Sequence, residues 1–223
     1  MKRTRLSARI LPTYSSAEET MNMVTHIVGG GIGIFALIGC LAKAIQRSSA
    51  VVVLSAVIYG ICMILLYAVS SIYHGLKPCT GKKVMQILDH CAIYLLIAAT
   101  YTPIAMVAIY PAYPMLGLGL TIFQWVIAVL AITLTAIDLK KYNVLSMICY
   151  ICTGWAVLPF MSQTQEVLSQ SGFLFLLWGG IAYTLGAILY GIGSRHRWFH
   201  SVFHIFVVLG SLLQLICIYF YVF

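Results

Sequence analysis

Six ionisable side chains lie near the ends of long apolar runs, where burial of a charge is unfavourable: His26, His74, Asp89, His90, His200 and His204. Ionisable groups inside membrane segments are rare and are usually functional. Ser70 precedes His74 by four residues. The same interval separates His200 from His204. Residues at this interval share one face of a helix, about 6 Å apart along its axis.

These pairs are compatible with a metal site. His200 and His204 can direct two imidazoles at one ion, and His74 could supply a third. Three histidines with a water in the fourth position form the open tetrahedral arrangement of catalytic zinc. Asp89 is the acidic residue placed to act as a general base on that water, and Ser70 could bond the water or a substrate oxygen. Such histidine pairs also serve packing or interfacial anchoring, so the residues alone leave both alternatives open.

Four polar residues are open to more than one interpretation. Glu19, Asn22 and His26 line up at i, i+3 and i+7 on the entry to the first apolar run. They could support the metal ligands or form a polar face at the membrane interface, and the sequence does not decide between the two. His90 points about 100° away from Asp89 around the helix axis, so we expect it to pack or cap. Gly29 and Gly33 have the GxxxG spacing of a close helix contact.

The elements that must position these residues are membrane helices. Of the 223 residues, 62% are hydrophobic and 8% are charged, against about a quarter charged in soluble domains. A spanning helix needs about 20 apolar residues. We predict an all-α polytopic membrane protein, with a tail over 1–22 and one seven-helix domain over 23–223. The predicted helices cover 23–42, 51–73, 84–109, 116–137, 143–161, 173–192 and 198–221.

The basic residues predict the orientation of the helices, because lysine and arginine are enriched in cytosolic loops. With seven helices, the N-terminal tail and the loops after helices 2, 4 and 6 share one side. That side holds eleven basic residues, and the other holds only Lys43 and Arg47. We therefore expect a cytosolic N-terminus and an external C-terminus, with all six ionisable groups in the cytosolic half of the bilayer. The eleven are Lys2, Arg3, Arg5, Arg9, Lys77, Lys82, Lys83, Lys140, Lys141, Arg195 and Arg197.

The net charge of +8 does not indicate a nucleic-acid partner, because the basic residues form short clusters between apolar runs. The seven cysteines are scattered and odd in number. We interpret them as small apolar packing residues. His196 lies between two arginines in a loop and is interpreted as a solvated interfacial residue.

At these residues the chain resembles the hemolysin III family of the progestin and adipoQ receptor superfamily, which is related to alkaline ceramidases. The resemblance is carried by SSIYHG, LDHCAIYLLIAATYTP and HSVFH, with EETMNMVTHIVGG in the first helix. The resemblance implies a seven-helix fold with an intramembrane Zn2+ near the cytosolic face. By motif, its ligands would be His74, His200 and His204, with Asp89 and Ser70 as nearby polar partners. The short loops are similar to the bacterial branch, which implies a multi-pass protein of a bacterial cell membrane.

The resemblance also implies hydrolysis of an amide in a lipid, with ceramide as the typical substrate. Our first hypothesis is a zinc-dependent lipid hydrolase whose substrate enters from the inner leaflet. The second is a non-enzymatic sensor or regulator of membrane homeostasis, in which zinc clamps two helices together. The third, a cytolytic protein, fits less well because no water-lining stripe is evident. Membrane lipids are the expected partners, and the sequence does not identify protein partners.

Overall fold

The computed structural model describes residues 4–193 and 196–223, so the basic residues Lys2, Arg3 and Arg195 lie outside the described part. Within these ranges the chain contains helices and no strand. The third helix continues as a π-helix over Ile104–Ile109, and the last continues as one over Ile218–Val222. The α-helices of the described chain are α1 (Ser16–Gln46), α2 (Ala50–Gly75), α3 (Thr80–Pro103), α4 (Pro114–Ile137), α5 (Leu139–Gly154), α6 (Met161–Gly193) and α7 (Phe199–Cys217).

Six stretches of the described chain are long and apolar enough to cross a membrane. Their outer faces expose large apolar side chains, such as Ile38 at 64%, Val129 at 62% and Phe220 at 65%. Soluble proteins rarely expose such continuous apolar surface, so the chain is a multi-pass membrane protein. The number differs from the seven predicted spans because α5 and α6 form one 55-residue stretch, Leu139–Gly193, with no polar loop between them.

This 55-residue stretch folds back on itself. Trp155, just after α5, donates its indole N–H to the Thr184 hydroxyl of α6 at 2.9 Å, across 29 positions of sequence. On a straight helix these residues would be about 44 Å apart. A 3₁₀ turn at Leu158–Phe160 and a non-helical residue within α6, Ser169 with φ 61°, interrupt the helix between them.

The first helix starts at Ser16, seven residues before residue 23, where the sequence analysis placed its start. The difference arises because the N-terminus of the helix is capped. The Ser15 side chain accepts the backbone N–H of Glu18, and the Glu18 carboxylate accepts the backbone N–H of Ser15. This reciprocal pair satisfies two N–H groups that would otherwise lack partners at the helix start. Glu18 also accepts the Trp198 backbone N–H at 2.8 Å, which ties the start of α7 to the start of α1.

Helices α1 and α2 pack closely through glycines. A Cβ at Gly29 would lie 2.4 Å from the Tyr67 ring, and one at Gly33 would lie 3.1 Å from the Ile64 backbone nitrogen. A Cβ at Gly60 would lie 2.5 Å from the Leu37 Cα. The GxxxG spacing is thus used for close helix packing, as predicted. The contact holds polar residues of α1 against the last turns of α2.

One end of the helical bundle gathers the basic clusters, and we call it the basic end. The Lys83 ammonium group donates to the Ser7 carbonyl at 2.9 Å, and the Thr4 backbone N–H donates to Asp138 Oδ2 at 2.7 Å. These contacts join the N-terminal segment to the start of α3 and to the α4–α5 junction. With the α1–α7 contact, they group elements that the sequence analysis placed on one side. The basic end holds Arg5, Arg9, Lys77, Lys82, Lys83, Lys140, Lys141 and Arg197.

Candidate metal centre

Three histidines converge at the basic end. His74 lies in the last turn of α2, and His200 and His204 lie in the first turns of α7. One ligand atom from each lies within 4.8 Å of the other two. The Nε2 atoms of His200 and His204 are 3.1 Å apart, close to the separation of about 3.3 Å expected for two nitrogens on one tetrahedral zinc. The structure therefore brings together the three residues predicted as metal ligands.

The donor atoms of this cluster fit a metal ion. His74 Nε2 is buried and has no hydrogen-bond partner among the described residues. Its other ring nitrogen, Nδ1, lies 2.6 Å from Glu19 Oε2. A buried polar atom without a partner is unfavourable, and a metal ion at Nε2 would satisfy it. Histidine ligands in metal sites commonly donate their second ring N–H to a carboxylate in this way.

Glu19 joins this histidine to a lysine that the sequence analysis did not single out for the site. Lys82 donates to Glu19 Oε1 at 2.6 Å and to the Leu76 carbonyl at 2.8 Å, and it is only 3% exposed. Asn22 is fully buried, with its amide nitrogen 3.4 Å from His74 Nδ1. Glu19 and Asn22 therefore both lie against His74, one of the predicted metal ligands.

His26 lies beside the three histidines but does not belong to the group whose ligand atoms converge. Its ring stacks on His204, with centroids 3.8 Å apart and planes at 25°, and it meets Tyr67 edge-on. It is 4% exposed, and both ring nitrogens lack hydrogen-bond partners among the described residues. His26 therefore packs against a predicted ligand and lines the adjoining cavity.

A cavity of about 170 Å³ opens beside the histidines. Ser70 and Asp89, the predicted polar partners, both line it. The Ser70 hydroxyl is buried and has no hydrogen-bond partner among the described residues. The cavity continues between α3, α5, α6 and α7 to Tyr101, Trp155 and Gln214. His90 lines it near Tyr190, with ring centroids 6.1 Å apart. The apolar part of the lining includes Leu66, Ile93, Leu96, Ile97, Met147, Ile151, Ala187, Phe203 and Val207.

The segment before α1 covers the cavity at the basic end, a position that the sequence analysis did not predict. Tyr14 stacks on His200, with centroids 4.8 Å apart and planes at 20°. Burial raises the pKa of the Tyr14 phenol well above its usual value, so this group stays neutral. Arg9 donates to Gln86 Oε1 at 3.0 Å, and partial burial lowers the pKa of its guanidinium.

His196, interpreted as solvated, is exposed and outside the cluster. Tyr14 and Lys82 carry no helical spacing to the histidines, so no sequence pattern linked them to the site. The capping role of Glu18 could have been predicted, because a serine followed three residues later by a glutamate is typical of a helix N-terminus.

Comparison with known proteins gives consistent matches. Residues 14–215 match the family model described as haemolysin-III related. The chain is 35% identical to Hemolysin-3 of Bacillus cereus over 205 residues, 92% of each chain. It is 34% identical to the Hemolysin-3 homolog of Bacillus subtilis (strain 168) over 208 residues, 93% of this chain and 96% of the relative. The human monocyte to macrophage differentiation factor is 24% identical over 178 residues, 76% of this chain and 71% of the relative.

Proposed function

This chain belongs to the hemolysin III family, as its motifs predicted, and we propose that it is a zinc-dependent intramembrane hydrolase of a lipid amide, ceramide-like, or of a related lipid. One observation carries the proposal. The predicted ligands His74, His200 and His204 converge beside a largely apolar cavity that is also lined by Asp89 and Ser70. A hydrolytic centre for a lipid needs this combination of a metal, a base and a place for hydrocarbon.

The proposal includes seven membrane crossings, with the basic end in the cytosol of a bacterial cell. The start of α5 and the end of α6 both adjoin elements of the basic end, since Asp138 binds Thr4 and Gly193 lies against His200. The stretch between them therefore leaves that end and returns to it. A reporter fused at Phe223 should register outside the cytosol, and one inserted in the 77–83 loop should register inside. A cytosolic Phe223 would contradict this topology.

The chain's own residues supply the acid–base chemistry. When bound, zinc would lower the pKa of a water towards neutrality and polarise the substrate carbonyl. Asp89 would accept the proton of the attacking water and return it to the leaving amine, which a single carboxylate can do within one catalytic cycle. Ser70 would donate a hydrogen bond to the carbonyl oxygen as negative charge develops there. Tyr14 covers the histidines on the basic side and limits the entry of bulk water.

The cavity fits a substrate with a polar head and a hydrocarbon chain. Its acidic and histidine lining residues, including Asp89 and His200, lie at the basic end. From Gln86 to Tyr101 the lining on α3 extends over 15 helical steps, a rise of about 22 Å. A reactive amide at the polar end would place its hydrocarbon along the apolar walls. In this pose the lipid would enter sideways from the inner leaflet.

Asp89→Asn tests the enzymatic role. The substitution keeps the shape of the side chain and removes the base, so lipid hydrolysis should fall by about 10²-fold or more, while the zinc content stays unchanged. The measurement is release of free fatty acid from ceramides and other lipid amides by purified protein, with zinc quantified on the same samples. Unchanged hydrolysis would contradict the role of Asp89. Loss of zinc would instead make Asp89 a direct ligand.

A second candidate function follows from the placement of the histidines on two helices. His74 lies on α2, whereas His200 and His204 lie on α7. A metal bound by all three would clamp α2 to α7, which suits a non-enzymatic sensor of membrane state. Under this alternative, Asp89→Asn alters stability or regulation and no turnover is found. Hydrolysis that depends on both zinc and Asp89 would reject it.

A further inference from the structure

We propose that Glu19, held by Lys82, is a positioning residue that fixes the tautomer and direction of His74 for metal binding, an inference that rests on the proposed zinc site. Glu19 is on α1, Lys82 is near the start of α3 and His74 is in the last turn of α2. The arrangement links three helices through one carboxylate. It assigns a role to a glutamate and a lysine that are not themselves metal ligands.

The two nitrogens of His74 have different surroundings. Nδ1 lies 2.6 Å from Glu19 Oε2, whereas Nε2 is buried and has no hydrogen-bond partner among the described residues. A neutral imidazole carries its N–H on one nitrogen and a lone pair on the other. A hydrogen bond to a carboxylate places that N–H on Nδ1 and leaves the lone pair on Nε2. Glu19 thus selects the tautomer in which Nε2 can bind a metal.

Lys82 fixes the carboxylate that makes this selection. Its ammonium group donates to Glu19 Oε1 at 2.6 Å and to the Leu76 carbonyl at 2.8 Å, two residues beyond His74. The two oxygens of Glu19 are therefore divided, with one bound to the lysine and the other to the histidine. This division prevents the carboxylate from rotating away from His74. It also holds the negative charge of Glu19 beside the metal ligand.

A purely structural role for Glu19 would have a different consequence. Lys82 is 3% exposed, and a buried cation without a partner is strongly unfavourable. In a purely structural role, Glu19 would only neutralise the charge of Lys82. Removing the lysine together with the glutamate eliminates that requirement but does not restore the hydrogen bond to His74. A double substitution therefore distinguishes folding stability from metal affinity.

The experiment compares the purified wild-type chain with Glu19→Gln and with Glu19→Gln/Lys82→Met. Zinc affinity is measured by competition with a chelator, and thermal stability is measured on the metal-free samples. Glu19→Gln should raise the Kd for zinc by about 10- to 100-fold, as found when partners of metal-binding histidines are changed, and should lower the Tm. The double variant should recover most of the Tm and keep the weak zinc affinity.

Glu166→Gln is the matched control, because Glu166 contacts the Tyr113 hydroxyl and none of the histidines. Its zinc affinity should equal that of the wild type. Recovery of full zinc affinity in the double variant would overturn the positioning role and leave only charge neutralisation. If Glu19→Gln bound zinc with wild-type affinity, the positioning role would also be overturned, whereas the proposed zinc site would stand. If the wild type binds no zinc, the proposed function fails first and this inference fails with it.

Discussion

Buried polar groups occur both at the basic end and at the far end of α5, but they are used differently. At the far end, the Tyr101 hydroxyl donates to the Gly154 carbonyl at 2.8 Å and accepts the Val157 N–H at 3.1 Å. Gln124 donates to the Thr153 carbonyl at 2.8 Å. These side chains satisfy backbone groups where α5 ends. The far end therefore uses polar residues to repair a break in a helix.

At the far end Gln124 Oε1 is also buried without a partner within the described chain, but the same amide donates to a backbone carbonyl through its nitrogen. At the basic end, it is histidine ring nitrogens that lack partners. His74 Nε2 and both ring nitrogens of His26 are buried and make no hydrogen bond within the described chain. Without water in the bilayer core, polar atoms must be satisfied inside the protein. A polar residue in a membrane domain can thus repair the backbone or bind a ligand. Its hydrogen-bond partners, more than its residue type, distinguish these two uses.

The largest expected effect is loss of metal from the basic end. Purified protein should hold about one zinc per chain, and His204→Ala should lose most of it, because two histidines hold zinc far more weakly than three. His74→Ala and His200→Ala should do the same. The measurement is the zinc content per chain after exhaustive dialysis. If all three variants kept the zinc content of the wild type, the basic end would not be a metal site of these histidines, and the contrast between the two ends would be wrong.

His196→Ala is the control for that series. His196 is a histidine near the start of α7 that is exposed and outside the cluster. The variant should keep the zinc content and Tm of the wild type. Chelation of the wild type should also lower its Tm, since a ligand at 100 times its Kd stabilises the folded state by about 2.7 kcal/mol. The histidine variants that already lack zinc should not respond to the chelator.

The contrast explains what the sequence could predict. The four-residue spacing of His200 and His204 places both on one helix face, and the alternation of basic loops places His74 at the same end. Both arguments need only helix geometry and a bilayer. They located the histidine cluster, whereas the family was identified from the resemblance of the motifs. The long apolar runs predicted an all-helical membrane protein. The metal and the catalytic roles of Asp89 and Ser70 stay predictions.

Other features depend on contacts that no sequence period encodes. Lys82 reaches Glu19 across 63 residues of sequence, and Tyr14 lies on His200 only because the N-terminal segment crosses the basic end. The α5–α6 boundary was also misplaced. The chain around Trp155 is apolar throughout, and the break there is stabilised by Tyr101 from α3. Such partners become visible only after the helices are packed.

The smallest expected effect concerns the far end. Gln124→Leu should lower the free energy of unfolding by about 1–3 kcal/mol, because the buried Thr153 carbonyl loses the amide that binds it. Leucine fills a similar volume, so loss of packing contributes little. Zinc content should not change, because Gln124 lies on α4, which carries none of the three histidines. The measurements are denaturant unfolding in detergent and zinc per chain on the same sample. A stability loss with full zinc supports a purely structural use of polar residues at this end. Loss of zinc in Gln124→Leu would show that the two ends are coupled, and the division between repair and ligand binding would then be wrong.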